Sequence, residues 1–357
     1  MKKLALRFKK LTKKQILILS GGLIVVFAGA LGAFFYFSKS KKPEPEISKA
    51  EEKKPEQDSQ PTKYYAALSG LEVDSAEKVN APVIGVMIEN SPNARPQSGL
   101  AEAEVVFEAI AEGGITRFLA LYQQNHPDLI GPVRSLRTYY LDWVSGFDAG
   151  IAHVGGSGDA LARVRDGSHR DLDQFRLAGL YWRASDRRAP HNVYTTFENL
   201  ANHGRSQGWN NSNFEGFAFK EDSKSESPNA SQIQIVLSGA QYNTFYNYNG
   251  ECNCYSRGQA GAAHLDREKG YILPKNVVAL KMDMTLGADG LHNYYSTIGS
   301  GAAVIFRDGN AEVATWQKES ESAPLKLKNA NGEDVKLNRG QTWLVAVPND
   351  RGIISYQ

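Results

Sequence analysis

Residues 105–123 read Val105-Val-Phe-Glu-Ala-Ile-Ala-Glu-Gly-Gly-Ile-Thr-Arg-Phe-Leu-Ala-Leu-Tyr-Gln123. Two apolar runs, 105–111 and 115–123, flank Glu112-Gly113-Gly114, where glycine supplies turn conformations that other residues resist. The stretch predicts a β-hairpin. Toward the N-terminus, the apolar run 82–89 ends at Asn90-Ser91-Pro92-Asn93 and reads as a buried strand followed by a turn. Toward the C-terminus, Leu136, Tyr139, Tyr140, Trp143 and Val144 recur at helical spacing over 135–146. A strand over 148–154 then meets Gly155-Gly156-Ser157-Gly158 and a helix over 159–165. Thr196 is placed to cap a helix running to Ser206. Strands and helices mixed in this way predict an α/β (or α+β) unit.

Polar residues fill 220–231, and beyond them the pattern changes. Strands are expected over 232–237, 243–248, 277–284, 302–307 and 342–347, with a hairpin signal at Asp308-Gly309-Asn310. The body is therefore expected to be a mixed α/β domain, 63–225, followed by a β-rich domain, 226–357. No internal repeat is present.

At 357 residues the chain exceeds one ordinary domain, and at 41% hydrophobic and 22% charged it is not a wholly disordered protein. Its formal charge of +2 averages two unlike parts. Residues 1–42 hold ten Lys/Arg and no Asp/Glu, which leaves 31 basic and 39 acidic residues, a net of −8, for the rest. A nucleic-acid-binding ectodomain is excluded on that balance.

Residues 16–37 form an uncharged run of 22, long enough to cross a bilayer as a helix. Seven basic residues precede it and three follow closely, so the positive-inside rule predicts a cytoplasmic tail at 1–15. It predicts a single transmembrane helix, acting as signal anchor, at 16–37 and an extracytoplasmic remainder. The rival reading is a cleaved signal peptide with Ala28-Gly29-Ala30 as the cleavage site. Residues 38–62, rich in Lys, Glu, Pro, Ser and Gln, read as a flexible linker. No cysteine lies near the apolar run. The two cysteines, Cys252 and Cys254, can close one very small ring. A metal would need more ligands than the nearby His264, so no metal is expected and no cofactor is assigned.

Several blocks resemble the YerB-type lipoproteins, a bacterial family whose domains have no known function. They are Arg95-Pro-Gln-Ser-Gly-Leu100, Glu112-Gly-Gly-Ile-Thr-Arg117 and Gly131-Pro-Val-Arg-Ser-Leu-Arg137. His153-Val-Gly-Gly-Ser157, Ala189-Pro-His-Asn192 and Gly340-Gln-Thr-Trp-Leu344 complete the set. The resemblance spans about residues 80–357 and implies an envelope location and a two-part extracytoplasmic body. It departs from the family at the N-terminus, where the apolar run stands in place of a lipid-bearing cysteine. The family supplies no chemistry.

Arg117, Arg134 and Arg137 lie close in sequence to Asp142 and the Gly-Gly-Ser-Gly turn. Guanidinium forks hold phosphate or carboxylate, and a glycine turn at a helix start offers backbone N–H groups to an anion. With Arg95, His191 and Asn192 from the family blocks, the expected ligand-binding set is Arg95, Arg117, Arg134, Arg137, Gly155, Gly156, Ser157, His191 and Asn192. The competing reading pairs the arginines with Glu89, Glu108, Glu112 and Asp142 in structural salt bridges. Candidates for catalysis are His153, Ser157, His191 and Glu112, since a serine beside a histidine can act as nucleophile. Glu89, Glu108 and Glu112 are also the residue type that cleaves glycosidic bonds in pairs. Tyr242, Tyr246 and Tyr248 share strand parity and suggest an exposed aromatic stripe.

The expected function is recognition of an anionic or glycan envelope ligand, a cell-wall polymer or its precursor, by a membrane-attached protein. One alternative is an enzyme on such a polymer. The order of basic tail, apolar run and arginine-bearing ectodomain is distantly similar to LytR-type phosphotransferases, a likeness that carries over no residue. A non-catalytic envelope scaffold is the other.

Overall fold

Strands from both halves of the chain meet in one ten-stranded sheet. In the computed structural model, which describes residues 62–357, the first half supplies β1 (Ile84–Glu89), β2 (Val105–Ile110), β3 (Thr116–Tyr122), β4 (Gly150–His153) and β5 (Arg170–Asp173). A second sheet contains β6 (Gln232–Val236), β7 (Thr244–Asn249), β8 (Cys254–Gln259) and β9 (Ala262–Ala263). The large sheet is completed by β10 (Asn276–Met282), β11 (Gly299–Arg307), β12 (Asn310–Lys318), β13 (Lys326–Lys328) and β14 (Thr342–Pro348), and the chain ends on β15 (Ile353–Tyr356).

The large sheet runs β13-β12-β11-β10-β14-β2-β3-β1-β4-β5, and the smaller one β9-β8-β7-β6-β15. β14 lies parallel between β10 and β2, pairing Thr342–Val345 with Val105–Glu108. Every residue of β1, β2, β3 and β14 is buried, as expected of strands covered on both faces. Helix α1 (Thr138–Ser145) lays Trp143 on Phe107, ring centroids 5.0 Å apart, and joins Ile233, Ile235 and Tyr246 of the small sheet in one core. Helix α2 (Gly158–Val164) follows β4, and helix α3 (Phe197–Ser206) packs Leu200 with Val86, Ile88 and Trp343 on the other face. The Thr196 hydroxyl accepts from the Asn199 N–H at 2.9 Å, which starts α3 where the cap signal placed it.

The expected architecture is corrected here. Residues 63–357 are not an α/β domain followed in series by a β-rich one; they are a single, mostly β unit with three short helices of note. The last long strand lies in the middle of the ten, joining the first half's strands at β2 to the second half's at β10. Among the described residues no helix is long and apolar enough to cross a membrane. The expected span at 16–37, with the tail and most of the linker, lies outside the described residues. The helix expected over 135–146 begins only at Thr138, because Ser135–Arg137 are drawn out by pairing of Leu136 with Gly156. Cys252 and Cys254 are disulfide-bonded at the β7–β8 turn.

Buried Glu104 fastens the turn after β3 by accepting from the N–H groups of Gln123 (3.1 Å), Gln124 (2.7 Å) and Asn125 (2.9 Å). Burial pushes its carboxyl up to about 7, against the pull of those N–H bonds. The folded state therefore holds a proton that the unfolded chain has released, and this contribution to stability is complete below the ordinary carboxyl range and is lost as pH rises toward 7. Glu104→Gln should remove about 3 kcal/mol of stability change between pH 4.5 and 7. Urea unfolding of wild type and variant across that range checks the slope.

Candidate functional site

β1, β2 and β4 all run antiparallel or parallel to their neighbours so that their carboxyl ends share one edge of the sheet. Clefts beside such ends are the usual ligand sites of sheets with parallel strands. Glu89 ends β1, Glu112 follows β2, Arg117 lies at the start of β3, and His153 ends β4. The segment 131–137 threads across this edge, its Val133 bridged to Ile88 and its Arg134 N–H donating to the Met87 carbonyl. Three of the family blocks, 112–117, 131–137 and 153–157, thus meet at this edge.

The arginines singled out by sequence divide between two carboxylates. Arg117 and Arg137 both pair with Glu112, Arg117 at 3.1 Å. Arg137 is largely buried, which lowers the pKa of its guanidinium. Arg134 lies 3.5 Å from Glu89, whose other oxygen is 2.8 Å from the His191 Nδ1. Arg134 and Arg137 therefore do not share a helical face; both stand in extended chain before α1 and reach different acids.

The glycine turn holds an anion, and it is the protein's own. The Gly155 N–H donates to the Asp173 carboxylate at 3.1 Å, and the same group takes Arg165 at 2.7 Å. The Ser157 N–H donates to the Leu136 carbonyl, so these turn amides are engaged within the fold. His153 is wholly buried, with Nδ1 2.8 Å from the Gly155 carbonyl and Nε2 3.1 Å from Asp171. Both ring nitrogens are taken, and Ser157 is not among its partners. His191 turns one nitrogen, Nδ1, toward both Glu89 and Ser91, the latter at 3.3 Å. A relay would need the acid and the hydroxyl on opposite nitrogens.

Glu108 is neither a solvated strand residue nor half of a catalytic pair. It is fully buried against Arg257 of β8 at 2.7 Å, and it accepts from Thr116 at 2.9 Å. Arg257 lies 4.3 Å from the Trp343 ring centroid and donates to the Gln259 side chain at 3.0 Å. It also donates to the His264 Nδ1, whose Nε2 faces the Gln97 oxygen at 2.8 Å. Burial, then the nearby arginines, hold His264 well below its ordinary pKa, so it is neutral and donates through Nε2. Gln97 and Arg95 both donate to the Asn90 side-chain oxygen, at 3.0 and 3.1 Å. This network carries rigid support from the core out to Arg95.

Arg95 opens into a cleft of about 590 Å³ that it shares with Asn93, Arg187, Arg188, His191 and Arg267, with Asp186 on the rim. Arg267 pairs with Asp186 at 2.6 Å. Arg187 donates to the carbonyls of Asn93 and Pro96, and Arg95 to those of Asn90 and Gln241. Among the described residues, no carboxylate lies within ion-pair distance of Arg95, Arg187 or Arg188. Asn192 shapes the loop that presents them, accepting from Arg183 at 2.8 Å and donating to the Ala184 and Arg187 carbonyls. Arg187, Arg188 and Arg267 escaped the sequence reading. The first two directly precede the Ala189-Pro-His-Asn192 block, but Arg267 reaches the cleft only through the bridge of Gln97 with Asp266.

Comparison with known proteins accounts for the blocks. Residues 68–210 match the family described as protein of unknown function (DUF3048) N-terminal domain, and 233–344 the corresponding C-terminal domain. The gap between them contains the polar stretch 220–231. "Putative lipoprotein YerB" of Bacillus subtilis (strain 168) is 31% identical over 294 residues, 80% of this chain and 87% of that protein. The crystal structure of the YerB protein from Bacillus subtilis superposes with a TM-score of 0.72 at 28% identity, covering 82% of this chain and 99% of that one. With six ordered motifs, two domain matches along the chain and a relative alike over most of its length, the chain belongs to the YerB-like DUF3048 family.

Proposed function

We propose that this protein is a membrane-associated extracytoplasmic protein that binds an anionic envelope ligand, a phosphate- or carboxylate-bearing cell-wall polymer or its precursor, in the Arg95–Arg187–Arg188–Arg267 cleft. The observation that carries the reading is the set of three arginines without a carboxylate partner among the described residues, facing one open cleft. Guanidinium groups in that state are ready to exchange water for phosphate or carboxylate oxygens, with two parallel hydrogen bonds each. Arg267, tied to Asp186, closes one side, and His191 stands behind with Glu89. Envelope placement is supported by the relative's name as a lipoprotein. Arg134 acts in this reading through Glu89, the carboxylate that also holds His191 of the cleft, whereas Arg117 and Arg137 hold Glu112 outside its lining.

The test is calorimetric titration with inorganic pyrophosphate and with an isolated anionic wall polymer, at low and high salt. Arg187→Gln/Arg188→Gln should weaken both by at least about 100-fold, from the loss of roughly 1.5–3 kcal/mol per charged hydrogen bond. Its melting temperature should stay near wild type, because neither side chain neutralises a buried acid. Binding should also weaken as salt rises. Unchanged affinity in the double variant would remove the cleft from consideration.

A further inference from the structure

The small sheet offers a second surface of different chemistry. Its inner face is apolar, with Ile233, Ile235 and Tyr246 in the core. Of the tyrosines expected to form an exposed stripe, Tyr246 is completely buried, Tyr248 is half-buried, and Tyr242 stands before β7 rather than on it. The opposite parity faces out. Register places Ser355, Gln234, Phe245 and Gly258 in one row across β15, β6, β7 and β8. In the adjacent row Gln357 pairs with Gln232, Gln232 with Asn247, and Asn247 with Ser256.

Phe245 lies flat in this face. A Cβ built on Gly258 would stand 2.0, 2.3 and 2.4 Å from its Cζ, Cε2 and Cε1, so the ring is set face-on across the space that glycine leaves. One ring face is pressed on the sheet and the other is turned outward. Around it is a groove of about 430 Å³ whose lining includes Gln232, Gln234, Asn247 and Gln357 and no Asp, Glu, Lys or Arg. The Gln357 amide donates to the Gln232 oxygen at 3.0 Å, which orients both.

We propose that this groove binds an uncharged oligosaccharide. A sugar ring has an apolar C–H face that stacks on an aromatic ring and a rim of hydroxyls that both donate and accept hydrogen bonds. Primary amides are matched to that rim because each also donates and accepts. The absence of charged side chains from the lining sets the ligand apart from the polyanion of the arginine cleft, so the site stands independently of that reading. An extended peptide would instead add to the free edge of β15 and leave the face uncovered.

The experiment titrates the full chain with N-acetylchitohexaose and with cellohexaose, both uncharged, and with an unstructured peptide as control. Binding of at least one sugar with a Kd in the millimolar range or tighter is expected, with no peptide binding. Gln234→Ala/Asn247→Ala, both exposed, should weaken sugar binding at least about tenfold, as should Phe245→Leu, with circular dichroism unchanged. Arg187→Gln/Arg188→Gln should leave it unaltered. Failure of both sugars to bind overturns the proposal, as does peptide binding in their place or wild-type sugar affinity in the folded Gln234→Ala/Asn247→Ala variant.

Discussion

Arg257→Met is expected to lower the unfolding free energy by about 3–5 kcal/mol, because it leaves the Glu108 carboxylate buried without its cation. Both side chains are fully buried, and the arginine also fills the space against Trp343 and Phe118. Methionine replaces much of that volume and none of the charge. For a body of this size the loss corresponds to a fall of about 10 °C in melting temperature. Glu108→Leu/Arg257→Met should recover most of it, since a buried ion pair replaced by packed apolar groups is often neutral or better. Thermal unfolding of the single and double variants separates the two outcomes. A single variant as stable as wild type would mean that water reaches Glu108.

Cutting the chain between 225 and 226 should abolish folding of either piece alone, the largest effect expected for this protein. The N-terminal piece would lose β14 from the flank of β2, exposing a strand buried on both faces and a row of unpaired backbone groups. The C-terminal piece would keep Arg257 buried beside an absent Glu108 and would open the core shared by Phe107, Trp143, Ile233 and Ile235. Expressed separately, the fragments should be insoluble or lack cooperative melting; coexpressed, they should copurify as one folded complex. Two soluble fragments that each melt cooperatively would show that the junction of β14 with β2 is dispensable.

Glu108 sits in a run whose neighbours are apolar on both sides, and local alternation cannot say whether a cation arrives from elsewhere. Its partner lies 149 positions away, on Cys254–Gln259, a strand too polar in sequence to be recognised. The glycine turn at 155–158 was legible as an anion cradle, yet the carboxylate that fills it comes from Asp173. Arg134 and Arg137, placed together in the expected ligand-binding set, serve different acids.

By itself the sequence determined the long apolar strands, the start of α3 and the family. Runs such as 105–111, 115–123 and 342–347 specify strands because burial on both faces demands continuous apolar side chains, and that demand acts locally. The Thr196 cap and the ordered family blocks are likewise properties of neighbours in sequence. Only the tertiary structure decided that β14 enters between β10 and β2 and that the two halves share one sheet. It alone decided which arginines are spent on acids of the fold and which face the cleft. The physical reason is that strand order and ion pairing are selected among distant partners of nearly equal local preference, and the choice is made by the free energy of the whole packed body.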